Sequence, residues 1–337
     1  MKKNLVRLIC LLLAAVALSS PAQAATKPVL YNAIITYEYA NSITGIYAEP
    51  DSENSKMIGT YQPGTPIEVV EVLPDYVGIN YKNGVGYVLR HRIANPVALD
   101  PVNTPRFGTA VNMYFSTLDR ETLVKAAPDA SSDTLITMQA GTMLGFLDVT
   151  DGWARLIFKR QYGYVDTRTL GELAMVAAAP DEGNQFTPIA VYNSFYNLAE
   201  TEANLNRIIN LKVCGERMDR VMMPGDVLDF NGTVGPFRAS FGYLPAPGLV
   251  EGGFIQTYGG GSCQVSSTLY YVVLQLTGLT VLQRSPHGKN GISYLPHGVD
   301  ASSGALNFRF RNDYSFPIRI RTHVQDGSLF IAIFREV

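Results

Sequence analysis

The sequence predicts a mainly β protein of several domains: two small β-barrels, followed by an α+β domain with a cysteine-bearing helix and an antiparallel sheet. Three patterns lead to this prediction. The N-terminal half repeats one order of turn and strand signals, three glycines introduce a cysteine at the start of an amphipathic segment, and the last third alternates apolar with polar residues. With 337 residues, 47% of them hydrophobic and 17% charged, the chain is long enough for two or three folded domains.

The first segment of the chain has the three parts of a secretory signal peptide. Lys2, Lys3 and Arg7 form a basic end, residues 8–18 an apolar stretch, and Ala22-Gln23-Ala24 a small-residue cleavage site. We therefore expect a signal peptide over residues 1–24, no membrane-spanning segment after its removal, and a secreted, extracytoplasmic protein. The formal net charge of −2 argues against a nucleic-acid partner, which favours a basic surface.

Removal of the signal peptide also removes Cys10, which leaves Cys214 and Cys263. Two cysteines in an exported chain of this length do not make a disulfide framework. The sequence leaves open whether they pair with each other or stay free. The histidines and cysteines lack the spacing of a zinc site, and the glycines lack a dinucleotide fingerprint, so we expect neither a metal nor a cofactor.

Two segments after the signal peptide duplicate each other. Gly64-Thr65 recurs as Gly141-Thr142, and Gly86-Tyr87-Val88 recurs as Gly163-Tyr164-Val165, each displaced by 77 positions. A constant offset indicates a duplicated unit, and short strand signals between turn residues indicate a small β-barrel. The predicted bounds are 30–95 and 106–172 for the barrels, Asn95 to Pro105 for the connector between them, and 173–188 for a linker after them.

The second copy contains the motif Asp151-Gly152-Trp153-Ala154-Arg155-Leu156, where the first copy has PDYVGI at residues 74–79. The order of signals, and this motif in particular, resembles bacterial SH3-type (SH3b) modules. The resemblance implies that the repeats bind the cell wall. The residues themselves leave open whether the modules bind a ligand or act only as spacers.

The last domain, residues 189–337, is predicted to begin with a helix and to end in strands. Leu198, Leu205, Ile208 and Ile209 predict a helix that stops at Gly215. Near the C-terminus, three segments alternate apolar and polar residues, which predicts an antiparallel meander. Four arginines of these strands are placed on one sheet face: Arg309, Arg311, Arg319 and Arg321.

The stretch of most chemical interest runs from Gly259 to Tyr270. An apolar stripe predicts an amphipathic helix that ends at Gly278: Val265, Leu269, Val272, Val273 and Leu276. Cys263 then lies within a residue of the helix N-terminus, where free backbone N–H groups and the helix dipole favour thiolate over thiol. Residue chemistry alone leaves a buried thiol, or a disulfide with Cys214, as alternatives.

A nucleophilic cysteine in this position predicts an acyl-transfer site. Backbone N–H groups around it would stabilise an oxyanion: those of Gly261, Ser262 and Gln264, besides that of the cysteine itself. Gly259 and Gly260 have no Cβ atom and would let a substrate backbone come close. The hydroxyls of Ser266 and Ser267 would either cap the helix or contact the substrate.

Four segments resemble the VanW family: GGGSCQVSSTLYY at 259–271, LTGLTVLQRSPHG at 276–288, SYLPHGVDA at 293–301 and LNFRFRN at 306–312. The resemblance covers roughly residues 190–335 and departs at Tyr271, where the family usually has asparagine. Some members are implicated as L,D-transpeptidases, which cross-link peptidoglycan through a cysteine nucleophile. The resemblance therefore implies that Cys263 is a catalytic nucleophile in a cell-wall-associated protein, with peptidoglycan stem peptides as its partners.

The base and the group that orients it are expected in loops of the same domain. His287 matches the family's histidine and Asp300 its aspartate, so the resemblance implies a site of Cys263, His287 and Asp300. His297 is a rival base, and the sequence does not decide between the two histidines. Tyr294 either positions the substrate or belongs to the core.

The predicted function is that of an exported peptidoglycan-modifying acyltransferase, an L,D-transpeptidase that cross-links stem peptides through a cysteine thioester. Two alternatives stay open. The protein is instead a non-catalytic cell-wall-binding or glycopeptide-resistance accessory protein, or it hydrolyses the thioester with water and is an L,D-carboxypeptidase.

Overall fold

The computed structural model describes residues 27–35, 43–94, 110–250, 253–287, 292–296 and 298–337. The predicted signal peptide with Cys10, the connector between the repeats and the rival base His297 lie outside these residues. Within the described ranges, no helix is both long and apolar enough to cross a membrane.

The first repeat is an antiparallel sheet of seven strands. Alternate apolar side chains such as Val77, Ile79 and Val88 are fully buried, as expected of strands with one face on a core. The strand order is β3-β2-β6-β5-β4-β1-β7. The strands are β1 (Tyr31–Ile35), β2 (Thr44–Tyr47), β3 (Met57–Tyr61), β4 (Pro66–Val72), β5 (Tyr76–Tyr81), β6 (Gly84–Leu89) and β7 (Ile93–Ala94).

The second repeat copies this arrangement, but the counterpart of β4 breaks at Leu147 into two strands. The strands are β8 (Tyr114–Thr117), β9 (Thr122–Lys125), β10 (Thr134–Met138), β11 (Met143–Phe146), β12 (Asp148–Thr150), β13 (Trp153–Phe158), β14 (Gln161–Asp166) and β15 (Ala174–Met175). One sheet has the order β10-β9-β14-β13-β12 and the other β11-β8-β15. Four of these strands begin 77 residues after their counterparts in the first repeat: β10, β11, β13 and β14.

Neither repeat closes into the predicted barrel. In the first sheet, β3 and β7 lie at opposite edges and no ladder joins them; in the second repeat, β10 and β15 belong to different sheets. The strands at one end, β7 and β15, are only two residues long and pair with β1 and β8, respectively. The described residues thus form open sheets, and the SH3-type barrels are not found.

The C-terminal part combines three helices with three antiparallel sheets, so the predicted α+β class is confirmed for a mainly β chain. The orders are β16-β24-β23-β17, β18-β22-β21 and β19-β20. The elements are β16 (Pro188–Phe195), α1 (Glu202–Met218), β17 (Arg220–Met222), β18 (Val227–Asp229), α2 (Phe230–Val234), β19 (Pro245–Val250), β20 (Gly253–Tyr258), α3 (Ser262–Leu274), β21 (Leu279–Gln283), β22 (Arg309–Asn312), β23 (Ile318–Gln325) and β24 (Ser328–Arg335).

The predicted ends of α1 and α3 are both wrong, because Gly215 and Gly278 allow close packing and do not terminate the helices. Helix α3 ends at Leu274, and a Cβ atom on Gly278 would lie 2.3 Å from the Tyr314 ring. Helix α1 continues through Gly215 to Met218, and a Cβ atom on Gly215 would lie 2.7 Å from Thr322 Cγ2 on β23. The missing side chains let a strand and a ring approach closely.

The four arginines do not share one face. Arg309 and Arg311 lie on β22, in the three-stranded sheet, whereas Arg319 and Arg321 lie on β23, in the four-stranded sheet. Alternation within a strand predicts the face of each residue, but it does not predict which strands join one sheet.

The C-terminal part packs against both repeats. The Tyr270 hydroxyl on α3 donates a hydrogen bond to the Leu30 carbonyl, and the Gly145 N–H donates to Asn193 Oδ1 at 2.9 Å. The predicted linker contributes β15, and Val176 beside it is buried. Val176, Gly183 and Pro188 of the stretch 173–188 are buried against their neighbours, whereas Phe186 is exposed.

Candidate active site

Cys263 is the second residue of helix α3. Gly261, with φ of 113°, precedes the helix as its N-cap in a left-handed conformation that favours glycine. Cys263 is half-buried and carries a free thiol. Cys214 is also free and is fully buried on α1, where burial raises the pKa of its thiol. The disulfide alternative is therefore absent from the structure, and Cys214 packs in the core.

Ser303 surrounds the sulfur with hydrogen-bond donors. Its backbone N–H donates to Cys263 Sγ at 3.4 Å and its hydroxyl lies 3.5 Å from the same atom. Donors of this kind favour a thiolate over a neutral thiol. Sequence reasoning missed Ser303, although it lies only three residues beyond the predicted Asp300.

His287 and Asp300 meet in the loop between β21 and β22. The imidazole Nδ1 lies 2.7 Å from Asp300 Oδ2, and the backbone N–H of His287 donates to the same oxygen at 2.7 Å. Nε2, the other ring nitrogen, is buried and forms no hydrogen bond among the described residues. The ring nevertheless lies close enough to Cys263 for each group to shift the pKa of the other. His287 Nε2 and the Cys263 sulfur are thus near each other without a hydrogen bond, and catalytic contacts of this kind often shorten when a substrate binds.

The charges of this pair favour a thiolate and an imidazolium. Burial raises the pKa of the Cys263 thiol, but His287 and Ser303 outweigh it and bring the pKa below its usual value. Burial lowers the pKa of His287, but Asp300 and Cys263 outweigh it and raise that pKa to about 9. These shifts favour a thiolate on Cys263 and an imidazolium on His287, and the titrations of the two groups belong to the pair.

Arg284 supports Asp300 from the side away from His287. Asp300 is 1% exposed, and burial would raise the pKa of its carboxyl, but His287 and Arg284 lower it. Arg284 Nη2 lies 3.4 Å from Asp300 Oδ1, and Nε donates to the Asp300 carbonyl at 2.8 Å. A second bond from Nη2 reaches the Gly298 carbonyl at 2.7 Å. Sequence reasoning missed Arg284; the signal available was a buried carboxylate in need of a cation.

The predicted substrate role of the first two glycines is replaced by a packing role. A Cβ atom on Gly259 would lie 2.4 Å from Phe237 Cδ1, and one on Gly260 would lie 2.4 Å from the Ala246 carbonyl oxygen. Both glycines are buried. The turn therefore needs glycine because the protein itself, rather than a ligand, occupies the space.

The set of candidate oxyanion donors is smaller than predicted. The backbone N–H of Ser262 donates to the Gly259 carbonyl at 3.0 Å, and that of Gln264 donates to the Gly261 carbonyl at 2.8 Å. The N–H groups of Gly261 and Cys263 donate to no acceptor among the described residues. These two groups are left at the helix start to bind an oxyanion.

Ser266 and Ser267 are buried and hold the site loop. The Ser266 hydroxyl donates to the Ala301 carbonyl at 2.6 Å. The Ser267 hydroxyl donates to the same carbonyl at 3.1 Å and accepts the Ala301 N–H at 3.0 Å. Both side chains are fully buried, and their hydroxyls bind the backbone and fix the residue that follows Asp300.

Tyr294 is half-buried and lies beside the sulfur. Burial and the charge of Cys263 raise the pKa of its hydroxyl, while Arg207 and a hydrogen bond to Ser267 lower it. The phenol therefore stays neutral and can donate a hydrogen bond. Among the residues that the structure describes, no cluster of histidine, cysteine, aspartate and glutamate is arranged to hold a metal ion.

Comparisons with known proteins agree with the resemblance seen in the sequence. Residues 206–334 match the model of a family described as VanW like protein. The uncharacterized protein YoaR of Bacillus subtilis (strain 168) is 36% identical over 146 residues, which cover 42% of this chain and 46% of that protein. The vancomycin B-type resistance protein VanW of Enterococcus faecalis (strain ATCC 700802 / V583) is 28% identical over 141 residues, 39% of this chain and 50% of that protein. The chain thus spans about half the length of these curated relatives.

Likeness to solved structures is weak. The structure of NlpC1 from Trichomonas vaginalis covers 91% of this chain and 92% of its own, at 9% identity and a TM-score of 0.18. An NLPC/P60 family protein from Bacillus cereus covers 89% and 93%, at 12% identity and a TM-score of 0.18. A TM-score this low indicates no common fold, so these likenesses carry no functional argument.

Proposed function

Since the C-terminal part of this chain is a VanW-like domain, we propose that the protein is an exported cysteine acyltransferase that cross-links peptidoglycan stem peptides as an L,D-transpeptidase. One observation carries the proposal. A half-buried cysteine at a helix start faces a buried histidine, whose far nitrogen lies 2.7 Å from a buried aspartate. This arrangement generates and orients a sulfur nucleophile.

In the first step, the Cys263 thiolate attacks the carbonyl carbon between an L-configured centre of a stem peptide and its terminal D-Ala. A C–S bond forms and the carbonyl oxygen becomes an oxyanion. The Cys263 N–H and the positive end of the α3 dipole stabilise this charge. His287 and Ser303 outweigh burial and lower the pKa of the Cys263 thiol, which favours the thiolate before the substrate binds.

His287 then acts as an acid. As the C–N bond breaks, the imidazolium transfers its Nε2 proton to the departing amine, and D-Ala leaves with the stem acylated on sulfur as a thioester. Asp300 and Arg284 keep the ring oriented throughout, since they hold Nδ1 and the backbone of the same loop.

An amine of a second stem attacks the thioester carbonyl in the last step. His287 takes the proton from that amine, the C–S bond breaks, and the thiolate and imidazolium are restored as the new amide leaves. Water in place of the amine gives a free carboxylate, which is the L,D-carboxypeptidase reaction. The acid and base roles of His287 are the same in both cases.

The test uses the full chain and a purified disaccharide tetrapeptide, with products identified by mass spectrometry. We expect cross-linked dimers, and a loss of about a thousandfold or more in Cys263→Ala. Cys214→Ala is the matched control, since that thiol is fully buried in the core, and should keep most of the activity. Cross-linking that persists in Cys263→Ala contradicts the proposal. An intact tetrapeptide with the unmodified protein favours the non-catalytic accessory role.

A further inference from the structure

The first turn of α3 presents its side chains in a fixed angular order. Successive residues are 100° apart, so Ser267 lies 40° from Cys263 and Gln264 lies 100° from it on the same side. Ser303 donates to the sulfur, and Ser266 and Ser267 both hold Ala301 in the loop that carries Asp300. Gln264 therefore points about a quarter of a turn round the helix from the sulfur.

Arg207 and Tyr294 lie near this part of the turn. Arg207 Nη2 donates to Gln264 Oε1 at 2.9 Å, and its stem packs over Gly261, where a Cβ atom would lie 3.1 Å from Arg207 Cγ. The Tyr294 hydroxyl interacts with Ser267 and lies within electrostatic range of both Cys263 and Arg207. A cation and a neutral phenol therefore border the same part of the turn.

Arg207 forms no ion pair within the described part of the chain, although it is half-buried. The neutral Gln264 amide takes one of its five N–H donors. Other arginines near this site do have an acidic or carbonyl partner, as Arg284 has Asp300. A half-buried guanidinium paired with a neutral amide leaves donors for an anion from outside the chain.

We propose that Arg207 and Tyr294 bind the free C-terminal carboxylate of the acyl donor, so that the site takes only peptides that end one residue after the scissile bond. This inference rests on the proposed function and specifies its substrate class. In such a peptide the carboxylate lies roughly 4 Å from the scissile carbonyl, the length of one residue. Arg207 is bonded to Gln264, the residue next to Cys263, which is about as far from the nucleophile as this carboxylate would be.

The test compares two reagents that differ only in this carboxylate: N-iodoacetyl-glycine and its carboxamide. In both, the Cys263 thiolate displaces iodide, and the rate of labelling is followed by mass spectrometry. We expect the acid to react faster than the amide with the unmodified protein. Arg207→Gln should lower the ratio of the two rates about tenfold, and Arg207→Lys should keep most of it because the charge stays.

Arg220→Gln removes the same charge from an exposed arginine just after α1 and should leave the ratio unchanged. A ratio that is equal in Arg207→Gln and the unmodified protein overturns the carboxylate subsite alone. If neither reagent labels Cys263, the proposed nucleophile fails and the subsite fails with it. Should Arg207→Gln not fold, raising the salt concentration on the unmodified protein decides: a ratio that does not fall overturns the subsite.

Discussion

At the scale of the single residue, Asp300 determines the charges of the other groups of the site. It is almost fully buried, and a buried carboxylate is unfavourable unless charges and donors surround it. His287 and Arg284 supply them, which lowers the pKa of Asp300 and keeps it ionised. The ionised carboxylate in turn holds a proton on His287, and the imidazolium holds the thiolate on Cys263. The Arg284–Asp300 ion pair therefore affects the reactivity of the Cys263 sulfur through His287.

Asp300→Asn tests this chain through the pH dependence of labelling. The raised pKa of His287, about 9, keeps the imidazolium across neutral pH, and the lowered pKa of the Cys263 thiol favours the thiolate, so iodoacetamide should label Cys263 faster at pH 7 than it labels an ordinary thiol. Without the carboxylate, the pKa of His287 falls and that of the thiol rises. We expect labelling at pH 7 to slow about tenfold, with the loss recovered as the pH rises above 9.

Asp219→Asn, an exposed aspartate at the end of α1, is the control and should leave this profile unchanged. The dependence on Asp300 is contradicted if the two variants show the same profile. Cys214 should remain unlabelled in all three proteins, because it is buried and burial raises the pKa of its thiol.

Asn210 is the point where three elements near the site are joined. It lies on α1, is fully buried, and donates from Nδ2 to the Leu244 and Gly260 carbonyls, both at 2.9 Å. Its Oδ1 accepts the Leu244 N–H at 2.8 Å. One side chain thus holds the helix, the segment that leads into β19, and the glycine turn before Cys263.

Asn210→Ala should lower the free energy of unfolding by about 2–4 kcal/mol, because it leaves buried backbone groups without partners. Denaturant unfolding measures the change. Asn206→Ala is a matched control one turn earlier on α1, where a half-buried side chain makes a single bond to the Pro245 carbonyl, and it should lose less than about 1 kcal/mol. Equal losses of unfolding free energy in the two variants would contradict the role of the three Asn210 hydrogen bonds in stabilising the site.

The sequence predicts local features of these elements well and contacts between them poorly. A cysteine after three glycines and before an apolar stripe places the start of α3 correctly, because capping is a local property. The end of α3 is missed because Gly278 is required by the close packing of the Tyr314 ring, 36 residues further along the chain, and does not mark the helix end. Arg284 and Ser303 are missed for a related reason, since their partners become neighbours only when the loop folds over α3.

At the scale of the whole molecule, α3 and the residue after it contact both repeats as well as their own domain. Tyr270 reaches the first repeat at Leu30, and Gln275 accepts the Asn112 N–H, at the start of the second repeat, at 3.2 Å. Tyr271 stacks on Tyr192 of β16 with ring centroids 4.0 Å apart. The departure from the family's usual asparagine therefore supplies an aromatic contact in the shared core, away from the sulfur.

The two repeats differ at the position of the conspicuous tryptophan. In the first copy the equivalent residue is Tyr76, whose hydroxyl is bonded to Ser52. In the second copy Trp153 is half-buried and borders an open groove of about 460 Å³, together with Arg155 and Tyr164. The second copy combines an aromatic face with an open groove, so wall binding by the repeats is best tested there.

Trp153→Ala should reduce the binding of the full chain to purified peptidoglycan sacculi about tenfold, because an aromatic side chain at the centre of a contact typically contributes more than 1 kcal/mol. Co-sedimentation measures the loss, and iodoacetamide labelling of Cys263 should stay unchanged, since the groove is separate from the thiol. Phe186→Ala removes an aromatic side chain that is 79% exposed and should not alter binding. If Trp153→Ala binds as well as Phe186→Ala, the repeats act as packing partners of α3, and the wall contact must come from the catalytic cleft alone.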